Sequence, residues 1–324
     1  MWRRRRQHEY TPQVGGATEV HQVSRQEYER RVERVLAYIH DHLAGDLSLR
    51  TLAQVANFSP YHFHRVFRAM VGEPVGTFVR RLRVLTAAQH LAEDRTRPIT
   101  TIALECGFSS SSAFAREFRN HFGMTASAYR RLDPNGKKRQ LARKIREDTG
   151  LSPAYTPSMT PQAKTSGMEM TVEIRERPEL HVAYVRHVGP YNTIGKAFDR
   201  LLAWAGPRGL LHFPKTQVLA VYHDDPDAVD ESELRSSACI TVPQGTSVET
   251  GAETMVIPGG LFAVAHVEIA SDQFGAAWNA LMQWLSTSGY QPDDRMCYEV
   301  YRNDHEAHPE RKFIVDLCEP IRPL

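Results

Sequence analysis

Leu52-Ala53-Gln54-Val55-Ala56-Asn57-Phe58-Ser59, followed by Phe63, Arg65, Phe67-Arg68 and Gly72, returns about fifty residues later as Ile102-Ala103-Leu104-Glu105-Cys106-Gly107-Phe108-Ser109, followed by Phe114, Arg116, Phe118-Arg119 and Gly123. Each copy reads as a short helix, a tight turn, and a second helix with apolar residues on one side and arginines on the other. That is the pattern of a helix-turn-helix, and two in tandem on one chain point to double-stranded DNA.

Working outward, a helix is predicted over 27–43, with Tyr28, Val32, Val35, Leu36, Ile39 and Leu43 on one stripe and Gly45 ending it. Ser48 caps a helix over 49–56, and Ser59-Pro60 opens the next, which closes at Gly72. A long helix follows over 74–93, with Phe78, Leu82, Leu85, Ala88 and Leu91 as its apolar stripe. Pro98 breaks the chain. Thr100 is then the expected cap of a helix over 101–106, Ser109 the cap of one running to Phe122, and a last short helix covers 126–132. The all-α unit spans 25–132. Residues 1–24 lack periodicity and read as a flexible arm. Residues 133–168 read as a linker: a turn at Asp133-Pro134-Asn135-Gly136, a short basic helix over 137–146, then a stretch rich in Pro, Ser and Thr.

The net charge of +2 conceals a strong polarity. Residues 1–150 hold 26 Lys and Arg against 15 Asp and Glu, whereas 151–324 hold 14 against 23. A basic half beside an acidic half implies that only the first meets a polyanion. No apolar run is long enough to span a bilayer. Arg3 to Arg6 are followed by polar residues rather than the apolar core of a signal peptide, so a cytoplasmic protein without a membrane partner is expected. Cys106, Cys239, Cys297 and Cys318 are far apart and form no CxxC pair, which argues against a disulfide frame or a zinc site.

Only base edges in the major groove distinguish all four base pairs, and a helix fits there. On the second helix of the first unit the exposed positions are expected to be Tyr61, His62, His64, Arg65 and Arg68, with Phe63, Val66, Phe67 and Met70 inward. In the second unit Ser111, Ser112, Ala115, Arg116 and Arg119 face out, with Phe114, Phe118 and Phe122 inward. Arg65 can grip a guanine edge with two hydrogen bonds or pair with a phosphate, while short serine hydroxyls often bond phosphate. The first helix is therefore expected to supply more base discrimination. His62 and His64 diverge on a helix and cannot share a metal. Neither a metal nor a cofactor is expected.

From Arg83 to Arg130 the chain reads R-x-x-x-A-x-x-L, then I-x-x-I-A-x-x-x-G-F-x-x-x-x-x-F-x-R-x-F-R-x-x-F-G, then Y-R. Over about residues 27–132 it resembles the DNA-binding domain of the AraC/XylS transcription regulators. The resemblance implies two motifs bridged by the helix over 74–93 and entering successive major-groove segments. It also implies Arg65 and Arg116 as base contacts. Ala126 departs from the proline usual in that family before the last short helix.

After Gly167 the period of the apolar pattern shifts to two. Strands are predicted over 171–175, 182–187, 218–223, 237–242, 254–257, 262–268, 296–302 and 313–317, with helices over 192–205 and 273–286. This half also repeats. Phe198, Leu201, Trp204 and Gly209 correspond to Trp278, Leu281, Trp284 and Gly289 at an offset of 80, and Val221-Tyr222 corresponds to Val300-Tyr301. Two strand-helix-strand-strand repeats make a pseudo-twofold α+β domain over 169–324, with a cleft where the halves meet. The whole is a multidomain chain, all-α and then α+β.

His187-Val188-Gly189-Pro190-Tyr191, the helix after it, and Tyr298-Glu299-Val300-Tyr301 resemble the GyrI-like domain, which also serves as the effector-binding module of some multidrug-sensing regulators. Glu299 stands out: Ala220 holds its place in the first repeat, and alternation puts it on the opposite face from Tyr298 and Val300. A carboxylate among apolar strands is costly to bury unless paired or protonated. Facing a cleft it would be a counter-ion for a lipophilic cation, assisted by Tyr191, Phe262, Trp278 and Tyr301; the resemblance likewise implies a glutamate of this strand as the pocket acid. Against that stand a salt bridge from Glu299 to Arg302 and a plain core role for the aromatics. The combined expectation is a non-enzymatic, sequence-specific transcription regulator controlled by a small hydrophobic or cationic effector. Its partners would be duplex DNA, that effector and RNA polymerase. The alternatives are a hydrolase acting on small electrophiles with Glu299 as general base, and a protein-interaction module.

Overall fold

The computed structural model describes residues 14–132, 170–224, 229–248 and 250–324, with side chains from residue 21 onward. The first thirteen residues of the expected arm and the expected linker lie outside them. Among the described residues seven helices form the first half: α1 Val14–Asp41, α2 Leu49–Ala56, α3 Pro60–Val71, α4 Val75–Glu93, α5 Ile99–Glu105, α6 Ser111–Phe122 and α7 Ala126–Arg131. Helix α1 thus starts inside the stretch read as an arm. The missing apolar stripe there misled the sequence reading.

Local signals fix most boundaries. The Ser48 hydroxyl accepts from the Thr51 amide, and the Ser59 hydroxyl from that of His62 ahead of Pro60 at the first helical position. Ser110, not Ser109, caps α6 by accepting from the Ala113 amide, and α5 follows Pro98 directly without the Thr100 cap. The two motif turns differ in chemistry. Asn57 takes the left-handed conformation in the first (φ 56°), and Gly107 serves in the second (φ 85°). Gly107 is also a close approach, since a Cβ there would sit 2.5 Å from the Leu43 carbonyl and 2.8 Å from Arg83 Nε. Arg83 donates to that carbonyl at 3.0 Å, tying α4 to the end of α1.

Each motif has its own core. Val32, Val35, Ile39, Leu52, Phe63 and Phe67 pack with Phe78 of α4, whereas Leu91 of α4 joins Ile102, Phe114, Phe118, Phe122 and Tyr129. Helix α4 is therefore the bridge, one end in each core.

The second half is an antiparallel sheet covered by two helices. Its elements are β1 Met170–Arg177, β2 Leu180–Val188, α8 Gly195–Ala205, β3 Val218–Tyr222, β4 Arg235–Thr241, β5 Glu253–Ile257, β6 Gly260–Ile269, α9 Phe274–Leu285, β7 Tyr290–Pro292, β8 Tyr298–Tyr301 and β9 Phe313–Pro323. The strand order is β1-β6-β9-β8-β3-β4-β2-β5, with β7 pairing to the far end of β9. The repeats meet at β3 and β8, where Ala220 lies directly opposite Glu299. Each repeat carries a leading strand that the sequence pattern did not join to it. These strands are exchanged: β1 pairs with β6 of the second repeat and β5 with β2 of the first.

Alternation divides the sheet into two buried faces. Helices α8 and α9 cover one, with Leu201 and Trp204 packing on Ala220, Ala238 and Ile240, and Leu281 and Leu285 on Ala265, Val315 and Leu317. The other holds Leu219, Val221, Phe262, Val264, Tyr298, Val300 and Cys318. All four cysteines are free thiols and buried.

The two halves are docked. Helix α3 lies on α9, and Ala69 of α3 packs into the apolar cluster beneath α9. Helix α1 adds the Ser24 hydroxyl bonded to the Ser286 carbonyl at 3.1 Å and the Tyr28 hydroxyl bonded to the Tyr290 carbonyl at 3.0 Å.

Candidate functional site

The helical half presents its two recognition helices unequally. On α6, Ser111, Ser112, Ala115, Arg116 and Arg119 are exposed, as the sequence implied. The Arg116 side chain is 73 % exposed, with Glu117 Oε1 3.5 Å away. On α3 the expected exposure of Tyr61, His62, His64 and Arg65 is overturned. His62 and His64 are each 2 % exposed, Tyr61 is half-buried, and the Arg65 side chain is 14 % exposed; only Arg68 remains open. These residues point away from the helical core as predicted, but the second half covers them.

The composition of the two faces explains the difference. Where α6 carries Ser112, Glu117 and Asn120, the equivalent positions of α3 are Tyr61, Val66 and Ala69. The α3 face is thus partly apolar, and burying it against α9 is favourable in the way any apolar contact is. Ala69 is buried there, in the apolar cluster it shares with α9, and Val66 is 2 % exposed.

The contact is also polar and specific. Arg65 Nη1 donates to Glu319 Oε2 at 3.0 Å, and its guanidinium lies 4.3 Å from the centre of the Trp278 ring and 5.4 Å from that of Tyr61. His62 Nε2 donates to the Asp293 carbonyl at 2.7 Å, with Nδ1 3.1 Å from Glu319 Oε1. The Tyr61 hydroxyl and the Cys297 thiol are 2.7 Å apart. Burial by itself would raise the Glu319 carboxyl, but the charge of Arg65 and the contacts of His62 outweigh it and hold the group below its ordinary value. Burial pushes the Cys297 thiol up to about 11, so it stays a neutral thiol. Glu319 was missed in the sequence because the strand was ended at Leu317. The signal was present, since Val315, Leu317, Glu319 and Ile321 continue one alternating face.

Beneath this contact, between α8, α9 and the central strands, lies a cavity of about 1360 Å³. Its wall takes residues from both repeats and from α3: Tyr61, Arg65, Tyr191, Trp278, Glu299 and Tyr301 among them. Glu299 is 1 % exposed. It accepts from Trp278 Nε1 at 2.7 Å and from the hydroxyls of Tyr222 and Tyr301 at 2.8 Å each. Burial raises its carboxyl above the ordinary value, and those three neutral donors, with the charge of Arg65, only partly oppose that. Arg302 does not pair with Glu299; it binds Asp316 on the opposite face through Nε at 2.8 Å and through Nη2.

Of the expected aromatics, Trp278, Tyr301 and Tyr191 line the cavity, the Tyr191 hydroxyl donating to the Asp224 carbonyl at 2.5 Å. Phe262 does not. It sits on the other face of the sheet, 5.4 Å from the Tyr298 ring centre and beneath Arg295, because alternation along β6 turns it away from α9. Tyr222 takes its place. The sequence repeat that aligned Tyr222 with Tyr301 contained this residue, and the two tyrosines grip Glu299 from the two repeats.

A DNA-reading helical unit joined to a sheet domain that frames a ligand-sized cavity defines a class, the effector-controlled transcription regulators. A profile of the GyrI-like small molecule binding domain matches residues 170–322, and one of a helix-turn-helix domain matches 52–132. DNA gyrase inhibitor 2 of Dickeya dadantii is 34 % identical over 139 residues, which is 42 % of this chain and 87 % of that protein. The DNA gyrase inhibitor of Pectobacterium carotovorum is 35 % identical over 139 residues, 42 % of this chain and 88 % of its own length. Among solved structures, a transcriptional regulator with an AraC-type DNA-binding domain from Chromobacterium violaceum is 26 % identical, covering 32 % of this chain and 94 % of that one at a TM-score of 0.29. The chain belongs to the GyrI-like family, and ahead of that domain it carries a helix-turn-helix domain of the AraC type. It is a DNA-binding transcription regulator with a small-molecule-binding domain. Among the described residues no helix is long and apolar enough to cross a membrane.

Proposed function

We propose that the effector is a lipophilic monocation seated against Glu299, and that it sets the DNA-binding state of the recognition helices. One observation carries this reading: a buried carboxylate whose hydrogen-bond partners Tyr222, Tyr301 and Trp278 are all neutral faces an aromatic cavity. Ionised, such a group lacks full charge compensation, and a cation entering over the rings supplies it. The acceptor capacity of Glu299 is already engaged by three donors, which favours a counter-ion over a general base and a binding module over an enzyme. The acidic balance of the second half suits attraction of cations, and the basic first half suits DNA. The site of action would then be the cytoplasm, with RNA polymerase as the further partner. The domain boundaries that follow are 25–132 for the DNA-binding unit and 169–324 for the effector unit.

The test is calorimetric titration of the full chain with tetraphenylphosphonium and with neutral triphenylphosphine oxide. The cation is expected to bind at least tenfold tighter, and Glu299→Gln is expected to erase most of that preference. Equal affinities for the two probes would refute the reading.

A further inference from the structure

Arg65 belongs to two surfaces at once. It is the arginine of the first recognition helix, in register with Arg116 of the second, and it also forms part of the cavity wall. Its guanidinium lies over Trp278, the ring whose indole nitrogen bonds Glu299, while its Nη1 bonds Glu319. An aromatic face, one carboxylate in direct contact and a second at the edge of the ring, bonded to its indole nitrogen, are the features that recognise an organic cation. A side chain of the protein already occupies them.

We propose that Arg65 is a resident cation of the effector cavity, so that α3 is stowed on the effector domain and a cationic effector and the stowed helix compete for Trp278 and the two carboxylates. The proposal rests on the cationic-effector reading above. With α3 stowed, His62, His64 and Arg65 have no access to a major groove, whereas the α6 face, with Ser111, Ser112 and Arg116, is open. The stowed chain therefore meets DNA with one recognition helix, and the released chain with two. The clasp has several parts. Its apolar part lies around Ala69, its polar part on α3 is centred on Glu319, which touches both Arg65 and His62, and α1 adds the Ser24–Ser286 and Tyr28–Tyr290 bonds, which release must also break. A ligand that takes the place of Arg65 over Trp278 removes the cation–ring contact and adds a like charge beside the guanidinium, so the pair with Glu319 loses its partner geometry. Effector binding would thus raise the fraction of chains competent to place both helices, and the apparent DNA affinity follows that fraction.

Glu319 is the residue to change, because it holds Arg65 without itself reading DNA. The full chain and its Glu319→Gln variant are titrated with a duplex recovered by selection from a random pool, with and without tetraphenylphosphonium, and each complex is footprinted with hydroxyl radicals. For the unaltered chain the cation is expected to tighten DNA binding about tenfold or more. It should also lengthen the protected stretch by about one helical turn, the spacing of successive major-groove segments. Glu319→Gln is expected to show the tighter binding and longer footprint without the cation and to respond little to its addition. If that variant is poorly folded, Gln283→Glu, which sets a carboxylate against the Ala69 carbonyl in the last turn of α3 where Gln283 Nε2 now donates at 3.5 Å, should release the helix in the same way. Binding of the cation with unchanged DNA affinity and footprint would overturn the stowage proposal and leave the effector reading standing. A longer footprint in Glu319→Gln, from a chain that does not bind the cation, would sustain stowage and overturn the effector reading.

Discussion

Removing the Glu319 carboxylate should cost the folded, docked chain about 2–3 kcal/mol. The side chain is fully buried, and Glu319→Gln leaves the Arg65 guanidinium facing a neutral amide, with His62 beside it only 3 % exposed. Breaking a fully buried ion pair by removing one partner costs about 3–5 kcal/mol, because the remaining charge is stranded. Arg65 is not fully stranded: it keeps Trp278 and Tyr61, and at 14 % exposure it can turn into the cavity, so the cost falls just below that range. Equilibrium urea unfolding of the full chain, followed by tryptophan fluorescence, measures the loss. Arg65→Met and the double variant complete a cycle. The two single losses should fail to add by at least about 1 kcal/mol, since the variants break the same contact. A loss below about 0.5 kcal/mol for Glu319→Gln, or additivity within that margin, would show that the pair does not hold the halves together.

Three further outcomes follow from the same geometry. Gly107→Ala should destabilise the helical half by more than about 2 kcal/mol, because the added Cβ meets the Leu43 carbonyl and Arg83 at positive φ, whereas Gly72→Ala, at φ 90° with nothing within 4 Å, should cost only about 1 kcal/mol in the same denaturant titration. Glu319 and Glu299 should tilt the pH dependence of stability in opposite senses. Glu319 is depressed on folding, so its contribution is present above the ordinary carboxylate range of about 4.3 and is lost as pH falls through its lower folded value; Glu299 is raised, so its contribution is present below that range and lost as pH rises through its folded value. Stability against pH should accordingly show a shallower acid-side fall in Glu319→Gln, with Asp224 among the other depressed carboxyls sustaining the rest, and a shallower fall above about pH 4.3 in Glu299→Gln; unchanged curves would contradict the assignments. Phe262→Ala should lower stability by about 3 kcal/mol while leaving the affinity for tetraphenylphosphonium unaltered, whereas Trp278→Phe should weaken the cation; the reverse pattern in calorimetry would put Phe262 back at the cavity.

What could be read from the chain divides along a physical line. The helix-turn-helix pair was legible because local rules write it: caps at Ser48 and Ser59, the turn at Gly107, phenylalanines at helical spacing. The repeat in the second half showed itself in Leu201 and Leu281 and in the paired tyrosines, and alternation placed Glu299 correctly against Tyr298. The failures came from contacts between distant segments. Alternation states that Phe262 and Ala263 face opposite ways, but only the pairing with β9 says which face meets α9. The coverage of His62, His64 and Arg65 depends on a surface more than 200 residues away in sequence, although Val66 and Ala69 in place of Glu117 and Asn120 already marked α3 as the helix that wants a lid. The extra reach of β9 past Leu317, which delivers Glu319, was obscured by Pro320 inside the strand.

The seam between β3 and β8 has one more consequence. The duplicated halves bring the same register position to the same spot, so an acid in both would set two carboxylates side by side at the axis, where they could not both ionise. Ala220 opposite Glu299 resolves that conflict in favour of one. A molecule doubled in architecture thereby carries a single carboxylate at its seam, and its two halves are free to diverge into a wall that supplies the charge and a wall that supplies the shape.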